Sequence, residues 1–360
     1  MLSTYLYNSH DNQLKVLEAA ELLQHMPASG EIVTTQNGAA HRGQAKCRSG
    51  EMMWVDVMAP TAEDFALLEQ RFGLHAMVSE DIRSHEGRPK LHNYADYLYL
   101  IFHAVRMPQS DIAKPPVDDE NTLSCALNMQ VCEIDCLVGP DWVVTIHNEH
   151  LPPLEDLRSR WQRRPEMMKA GTGYLLYEIM DEVLDDYFPL LDALDERIDS
   201  FEERLFDHQK DVQTGDQSTL SSDIFALKRC LIQVRRVAGP TRDVVNTLLR
   251  LEADNGGRNF AYYQDLYDHA ARIVENIDTF RDILSGALDA YLATESNRMN
   301  GVMKTLTACS IILLVPNLIA AIYGMNFDDL PKEHGFWGSI IAMGSIISGL
   351  ALFFKHKRWL

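Results

Sequence analysis

Thr305 to Met325 reads T-L-T-A-C-S-I-I-L-L-V-P-N-L-I-A-A-I-Y-G-M and is closed by Asn326. These 21 residues carry no charge. As a helix they span roughly 30 Å, enough to cross a bilayer core. A second uncharged run of 20 residues, Gly335 to Phe354, ends abruptly at Lys355-His356-Lys357-Arg358. Two apolar spans joined by a tight loop make a membrane hairpin, with the rest of the chain on one side of it.

The first span is not uniformly apolar. At 100° per residue, Asn300, Met303, Thr307, Ser310, Leu314 and Asn317 fall in one stripe, and four of these six are polar. Polar groups at membrane depth are costly and face a bundle interior or a water-filled path. Two readings fit: a helix–helix seam of small polar residues, or the lining of a pore built from several copies around an axis. Asn at two depths exceeds what packing requires.

Tyr323-Gly324-Met325-Asn326 at the end of the first span resembles the signature of the CorA family of magnesium and cobalt transporters. Its setting strengthens the resemblance: M-K-T-L-T (303–307) enters the span, Pro316 lies within it, F-D-D-L-P (327–331) follows, and K-H-K-R-W-L (355–360) ends the chain. Upstream, T-F-R-D-I-L-S-G-A-L-D-A-Y-L (279–292), R-P-K (88–90) and N-Y-A-D-Y (93–97) are similar to the same family. The resemblance implies a homopentamer. It also implies a cytosolic divalent site between neighbouring subunits, with Asp81 and the adjacent Glu80 on one side and Asp265 of Y-Y-Q-D-L-Y-D-H on the other. Carboxylates completed by water make a weak Mg²⁺ site, which suits a sensor of an abundant ion. The competing possibility is that Asp265 merely pairs with a nearby arginine.

Composition sets the frame. The 360 residues are 46% hydrophobic with a formal net charge of −19, which argues against nucleic-acid binding. The N-terminus shows no basic segment followed by a long apolar run, so no signal peptide is expected. The six cysteines form no disulfide framework, and Cys132 and Cys136 are expected to be buried and reduced. The tail carries Lys355, Lys357 and Arg358, whereas the loop carries Asp328, Asp329 and Glu333 against Lys332. The positive-inside rule therefore places both termini in the cytoplasm of a plasma (inner) membrane and the loop outside.

The expected architecture is an α+β membrane protein. It divides into a cytosolic α/β domain (1–170), acidic and basic cytosolic helices (171–257) and a stalk helix continuing into the pore-lining span (258–326). An extracytoplasmic loop (327–334), the second span (335–354) and a basic tail (355–360) complete it. In the first domain, Trp54–Met58, Tyr97–Val105, Ala126–Val138 and Trp142–His147 read as strands. Thr61–Phe72 reads as a helix opened by a Thr-x-x-Asp capping box, and Ser110–Glu120 as a polar loop. The strand order is not readable. A long helix is expected over about 173–210, bent or broken at Pro189. A second covers Ser222–Arg250 with a kink at Gly239-Pro240. A third starts near Asn259 and presents Tyr263, Leu266, Ala270, Ile273, Ile277, Phe280, Leu284, Ala287 and Tyr291 on one face. Nothing breaks it before Pro316, so it runs on into the first span.

Residues 178–207 hold twelve acidic side chains against Arg197 and Arg204. Two roles fit: a solvated face neutralised by Lys228, Arg229, Arg235, Arg236 and Arg242 of the second helix, or a concentrator of divalent cations. In the pore, Asn326 would present a ring of amide carbonyls to a hydrated cation, since Mg²⁺ dehydrates reluctantly. Gly324 lets the backbone turn at the helix end. Met303, Leu314 and the flanking Leu306 would close the path by dewetting, and Asn300, Thr307, Ser310 and Asn317 would hydrogen-bond the ion's waters. Phe336-Trp337 would anchor the second span at the interface, and Gly338, Ser339, Gly344, Ser345, Ser348 and Gly349 would pack it on the first. No G-x-x-x-x-G-K-[ST] motif occurs, so a membrane potential would drive entry, about 4.6 kcal/mol for a divalent ion at 100 mV. The expected function is a channel-like importer of Mg²⁺, with Co²⁺ or Ni²⁺ as further substrates, and not an enzyme. Two alternatives remain: a zinc transporter of the ZntB branch, and a cytosolic enzyme with a membrane anchor. Against the enzyme, His147, Glu149 and His150 match no metalloprotease spacing.

Overall fold

The computed structural model describes residues 2–9, 11, 13–17, 25, 32–34, 40–42, 47, 50–84, 87–106, 129–207, 217–323 and 335–359. The loop expected over Ser110–Glu120, Cys125, the signature residues Gly324, Met325 and Asn326, and the 327–334 loop lie outside them. The chain divides into two units, residues 1–206 with 213–284, and residues 207–212 with 285–360.

The first unit is built on a seven-stranded sheet in the order β2-β1-β5-β9-β8-β7-β6. Its strands are β1 (Leu2–Asn8), β2 (Gln13–Leu17), β5 (Glu51–Met58), β6 (Lys90–Asn93), β7 (Leu98–Arg106), β8 (Gln130–Val138) and β9 (Trp142–His147). A separate pair, β3 (Ile32–Thr34) and β4 (Ala40–Arg42), is antiparallel. Among the described strands only β5 and β9 pair in parallel, at the centre of the sheet. Both are covered on two faces, which is why they read as almost continuous apolar runs.

Side chains alternate across the sheet. Met53, Val55, Val57, Val144 and Ile146 join Phe65, Leu68 and Phe72 of α1 (Ala62–Phe72) and Val78 and Ile82 of α2 (Ala76–Ser84) in one core. The capping box of α1 is present: Asp64 N donates to Thr61 Oγ1 at 3.2 Å and Thr61 N to Asp64 Oδ2 at 2.9 Å. Gly73 ends α1 at φ 64°, a left-handed position that costs glycine nothing. On the opposite face Trp54 meets Trp161 of α3 (Pro152–Arg163) edge-on at 6.2 Å. There the buried Asp56 carboxylate accepts from Thr145 Oγ1 at 2.6 Å. It also lies 3.2 Å from both His147 Nε2 and Arg158 Nη1. A buried charge so fully partnered ties α3 to the sheet.

The expected 173–210 helix is two helices, α4 (Thr172–Asp185) and α5 (Tyr187–Asp207). Pro189 has no N–H for the Asp185 carbonyl and its ring would clash there, so the break falls at Asp186. Helix α6 (Gln217–Asp254) passes through Gly239-Pro240 as continuous helix. It packs on β6 and β7. Gly256 and Gly257, at φ 104° and 70°, then turn the chain into α7, Phe260–Tyr323, a single helix of 64 residues through Pro316. Tyr263, Leu266, Ala270, Ile273, Ile277, Phe280 and Leu284 of α7 are buried.

The second unit holds the C-terminal part of α7 and α8 (Gly335–His356). Helix α7 contains a stretch long and apolar enough to cross a membrane; within α8 the run Ile340–His356 is apolar but shorter. Leu313, Leu318, Trp337, Ile341 and Leu352 are all exposed. So much uncovered apolar surface calls for lipid or a partner chain. The tail turns back at Arg358 (φ 57°), stacks Trp359 on Phe354 at 5.6 Å, and accepts Thr305 Oγ1 on the Trp359 carbonyl at 3.0 Å. Among the described residues, the seam expected from small residues of the second span is not formed within the chain at Gly338, Gly344, Ser345, Ser348 or Gly349. A Cβ on Gly338, Gly344 or Gly349 would meet open space, and Ser345 and Ser348 are exposed. Ala308 of α7 and Phe354 of α8 are buried.

Candidate functional site

The polar stripe lies on α7. Asn300, Met303, Leu306, Thr307, Ser310, Leu314 and Asn317 are all exposed on the single chain. Ser310 Oγ donates to the Leu306 carbonyl at 2.8 Å, one turn back. With its proton engaged, the hydroxyl keeps lone pairs that accept from water. Asn300, Thr307 and Asn317 make no side-chain hydrogen bond among the described residues. The stripe is therefore available to solvent or to copies of itself. The side chain of Tyr323, like Gly324, Met325 and Asn326, lies outside the description.

Helix α7 also carries Asp265, exposed near its N-terminal end. Among the described residues no arginine pairs with it. Asp265 Oδ1 lies 3.9 Å from His269 Nε2, one turn further on. The other ring nitrogen, His269 Nδ1, is 3.2 Å from Asp181 Oδ1 on α4. Asp181, Asp185 and His269 each offer a ligand atom, and these atoms all lie within 4.8 Å of one another. Tyr177 OH stands between, 3.4 Å from Asp181 Oδ2 and 3.5 Å from Asp265 Oδ2. Burial, then the neighbouring Asp185 charge, pushes the Asp181 carboxyl up, while His269 opposes this. Like charges held this close favour a cation among them. The two carboxylates of this cluster supply hard oxygens that Mg²⁺ takes, and the imidazole suits Co²⁺ or Zn²⁺ as well.

Asp81 stands elsewhere, on α2. Its Oδ2 accepts from Lys90 Nζ of the R-P-K segment at 2.6 Å. Glu80 beside it is exposed. Among the described residues no hydrogen bond or ion pair joins Asp81 to Asp265 within the chain. Any divalent ion at Asp81 must displace or share with Lys90.

Part of the acidic run is neutralised from α3 rather than from the basic helix. Arg160 of α3 pairs with Glu178 at 3.4 Å and with Glu182, while Arg235 of α6 goes to Asp278 at 3.0 Å and Arg242 to its neighbour Asp243. A bridge between the acidic and basic helices runs from Arg204 to Asp223 at 2.7 Å, with the basic partner on the acidic helix. Asp181, Asp185 and His269 were not separable from this run in the sequence. The signal was there as two i,i+4 pairs, Asp181-x3-Asp185 and Asp265-x3-His269. Only the packing of α4 on α7 puts them face to face.

The family model described as CorA-like Mg²⁺ transporter protein matches residues 49–358. The Bacillus subtilis protein YfjQ is 33% identical over 310 residues, 85% of this chain and 89% of that protein. The cobalt/magnesium transport protein CorA of Thermotoga maritima is 32% identical over 300 residues, 80% of this chain and 78% of that protein. In fold, the solved CorA magnesium transporter of Methanocaldococcus jannaschii matches 100% of this chain and 99% of its own, with a TM-score of 0.72 at 21% identity. The chain belongs to the CorA-like Mg²⁺ transporter family, whose members are membrane transporters of divalent cations.

Proposed function

We infer that the chain assembles as a homopentamer whose α7 helices line a pore for hydrated Mg²⁺, and that divalent cations bound on the cytosolic side hold this pore closed. The observation that carries this is the continuity of α7. One helix without a break bears both the Asp265–His269 pair and the stripe Asn300–Asn317. A rigid helix transmits a change at one end to the other, where a looped connection would absorb it.

Entry begins at Asn326, whose amide carbonyls accept hydrogen bonds from the water shell of the ion and spare it dehydration. Gly324 frees the turn that presents them. Along the stripe, Asn317, Ser310, Thr307 and Asn300 hold the same water shell, while Leu314, Leu306 and Met303 form apolar constrictions that dewet when the helices close. The driving force is the membrane potential, with both termini cytoplasmic as the tail charges require. On the cytosolic side, Mg²⁺ binds where Asp265, with Asp181, Asp185 and His269, meets Asp81 and Glu80 of a neighbouring copy. It offsets carboxylate repulsion and favours the closed ring. When Mg²⁺ falls, repulsion parts the subunits and α7 opens. The ligand set supports Mg²⁺ and tolerates Co²⁺.

The test is uptake into proteoliposomes carrying an internal Mg²⁺-sensitive dye under an inside-negative potential. Entry should be fast at low internal Mg²⁺ and slow as internal Mg²⁺ rises. Zinc uptake that follows a proton gradient, without Mg²⁺ entry, would transfer the chain to the ZntB type of transport.

A further inference from the structure

A second feature of the first unit lies apart from the Asp181–Asp185–His269 cluster. A cavity of ≈ 640 Å³ opens where the R-P-K segment, the ends of β7 and β8, and α6 meet. Its volume is that of a small-molecule site. His103 lines it and is only 7% exposed, yet its Nδ1 has no hydrogen-bond partner. Its Nε2 lies 3.8 Å from Glu133 Oε2. Glu133 is held by one oxygen, Oε2, which accepts from Gly87 N at 2.8 Å, while its buried Oε1 has no partner. Gly87 must be glycine for this: a Cβ would stand 2.5 Å from Ile101 Cδ1 and 3.0 Å from Glu133 Oε1. Two unsatisfied polar atoms thus lie buried at the cavity floor, one on each residue. Buried polar atoms are otherwise almost always satisfied.

The rim has the opposite character. Arg88 and Arg236 are exposed, and neither has an ion-pair partner among the described residues. Glu149 is the rim's one acid, and its Oε2 takes the Cys132 thiol at 3.0 Å. With Glu149 engaged by Cys132 and Glu133 buried below, the two exposed guanidiniums of the rim favour an anion, and arginine suits phosphate best through its paired donors. Burial pushes His103 down to about 4, a backbone interaction with Gly87 opposing, so the imidazole is neutral at physiological pH. With Nε2–H turned to Glu133 or Gly87, Nδ1 is a lone-pair acceptor. A bare metal ion matches the floor but not the rim, and a bare phosphate matches the rim but not the floor.

We propose that this cavity is a ligand site for a phosphate ester of mononucleotide size, its phosphate on Arg88 and Arg236 and its head group over His103 and Glu133. Calorimetric titration of the full-length protein in detergent, with EDTA present, tests this using AMP, adenosine and inorganic phosphate as probes. AMP should bind saturably, one per chain, with a Kd below about 1 mM and tighter than either fragment. Arg236→Gln, on an exposed residue without a partner, should weaken AMP about tenfold and leave adenosine unchanged. His103→Phe, which keeps the ring and removes Nδ1, should weaken AMP and adenosine alike; Glu133→Gln replaces it should the Phe variant not fold. Absence of saturable AMP binding would overturn the proposal, as would phosphate binding as tightly as AMP or AMP binding unchanged in both variants. None of these outcomes depends on transport.

Discussion

Replacing Asp185 by Asn removes one charge from the Asp181–Asp185–His269 cluster without changing its shape. The ligand atoms lie within 4.8 Å of one another. Two carboxylates at that spacing repel by about 0.9 kcal/mol in water and about 3.5 kcal/mol at an effective dielectric of 20. Asp185 is exposed, so the lower figure applies, about 1 kcal/mol. Without divalent ions the variant should therefore melt slightly above the native protein. With Mg²⁺ the order should narrow or reverse. At ten times its Kd a ligand stabilises by about 1.4 kcal/mol, and a site weakened about tenfold gives only about 0.4 kcal/mol at the same concentration. For a domain of this size that is a rise of about 4 °C in the native protein against about 1 °C in the variant. Thermal melts of the detergent-solubilised protein, with EDTA and then with a Mg²⁺ titration, measure both. A variant that keeps the full Mg²⁺-dependent rise, or melts lower than native in EDTA, would refute the assignment of a cation to this cluster.

Two further substitutions test the packing and the electrostatics of the first unit. Gly139→Ala places a Cβ 2.2 Å from Cε2 of the buried Trp142, so it should destabilise by roughly 2–3 kcal/mol in a denaturant titration. Asp135→Asn should stabilise at alkaline pH. Burial pushes the Asp135 carboxyl up to about 7 from 3.8, against the Tyr99 hydroxyl that donates to it at 2.6 Å, with Glu133 and Asp81 adding to the rise and Lys90 opposing it. A carboxyl raised in the fold contributes most below its unfolded pKa and loses that contribution as pH climbs through about 7. The variant should gain on the native protein between about pH 4 and 8, by roughly 4 kcal/mol at most. Melting temperatures of the two proteins across that range check it.

Much of the fold was legible because local chemistry specifies it. Trp142–His147 is a strand of the expected length, and the Thr61–Asp64 box opens α1 where a Thr-x-x-Asp signal places it. The apolar face from Tyr263 to Leu284 is the buried face of α7. Strands β1, β2 and β6 were not legible. In β1, Tyr5, Leu6 and Tyr7 are buried on both faces, so no alternation marks the strand. The parallel pairing of β5 with β9 joins segments some 90 residues apart, as Val55 opposite Val144 illustrates, and nothing local encodes it. The same holds for the cation cluster. Asp265 was found through a family resemblance, whereas Asp181, Asp185 and His269 acquire meaning only when α4 and α7 pack. Glu133 and His103 look like ordinary strand residues until Gly87 is seen to hold the carboxylate.

The most direct test of the pore is Mg²⁺ entry into proteoliposomes under an inside-negative potential, compared between the native chain and Asn326→Ala at equal reconstitution. A pore whose outer filter is the Asn326 ring predicts fast entry in the native protein and at least a tenfold loss (about 1.4 kcal/mol) in the variant. Equal entry in both would contradict a filter at Asn326, and entry in neither would contradict the pore itself.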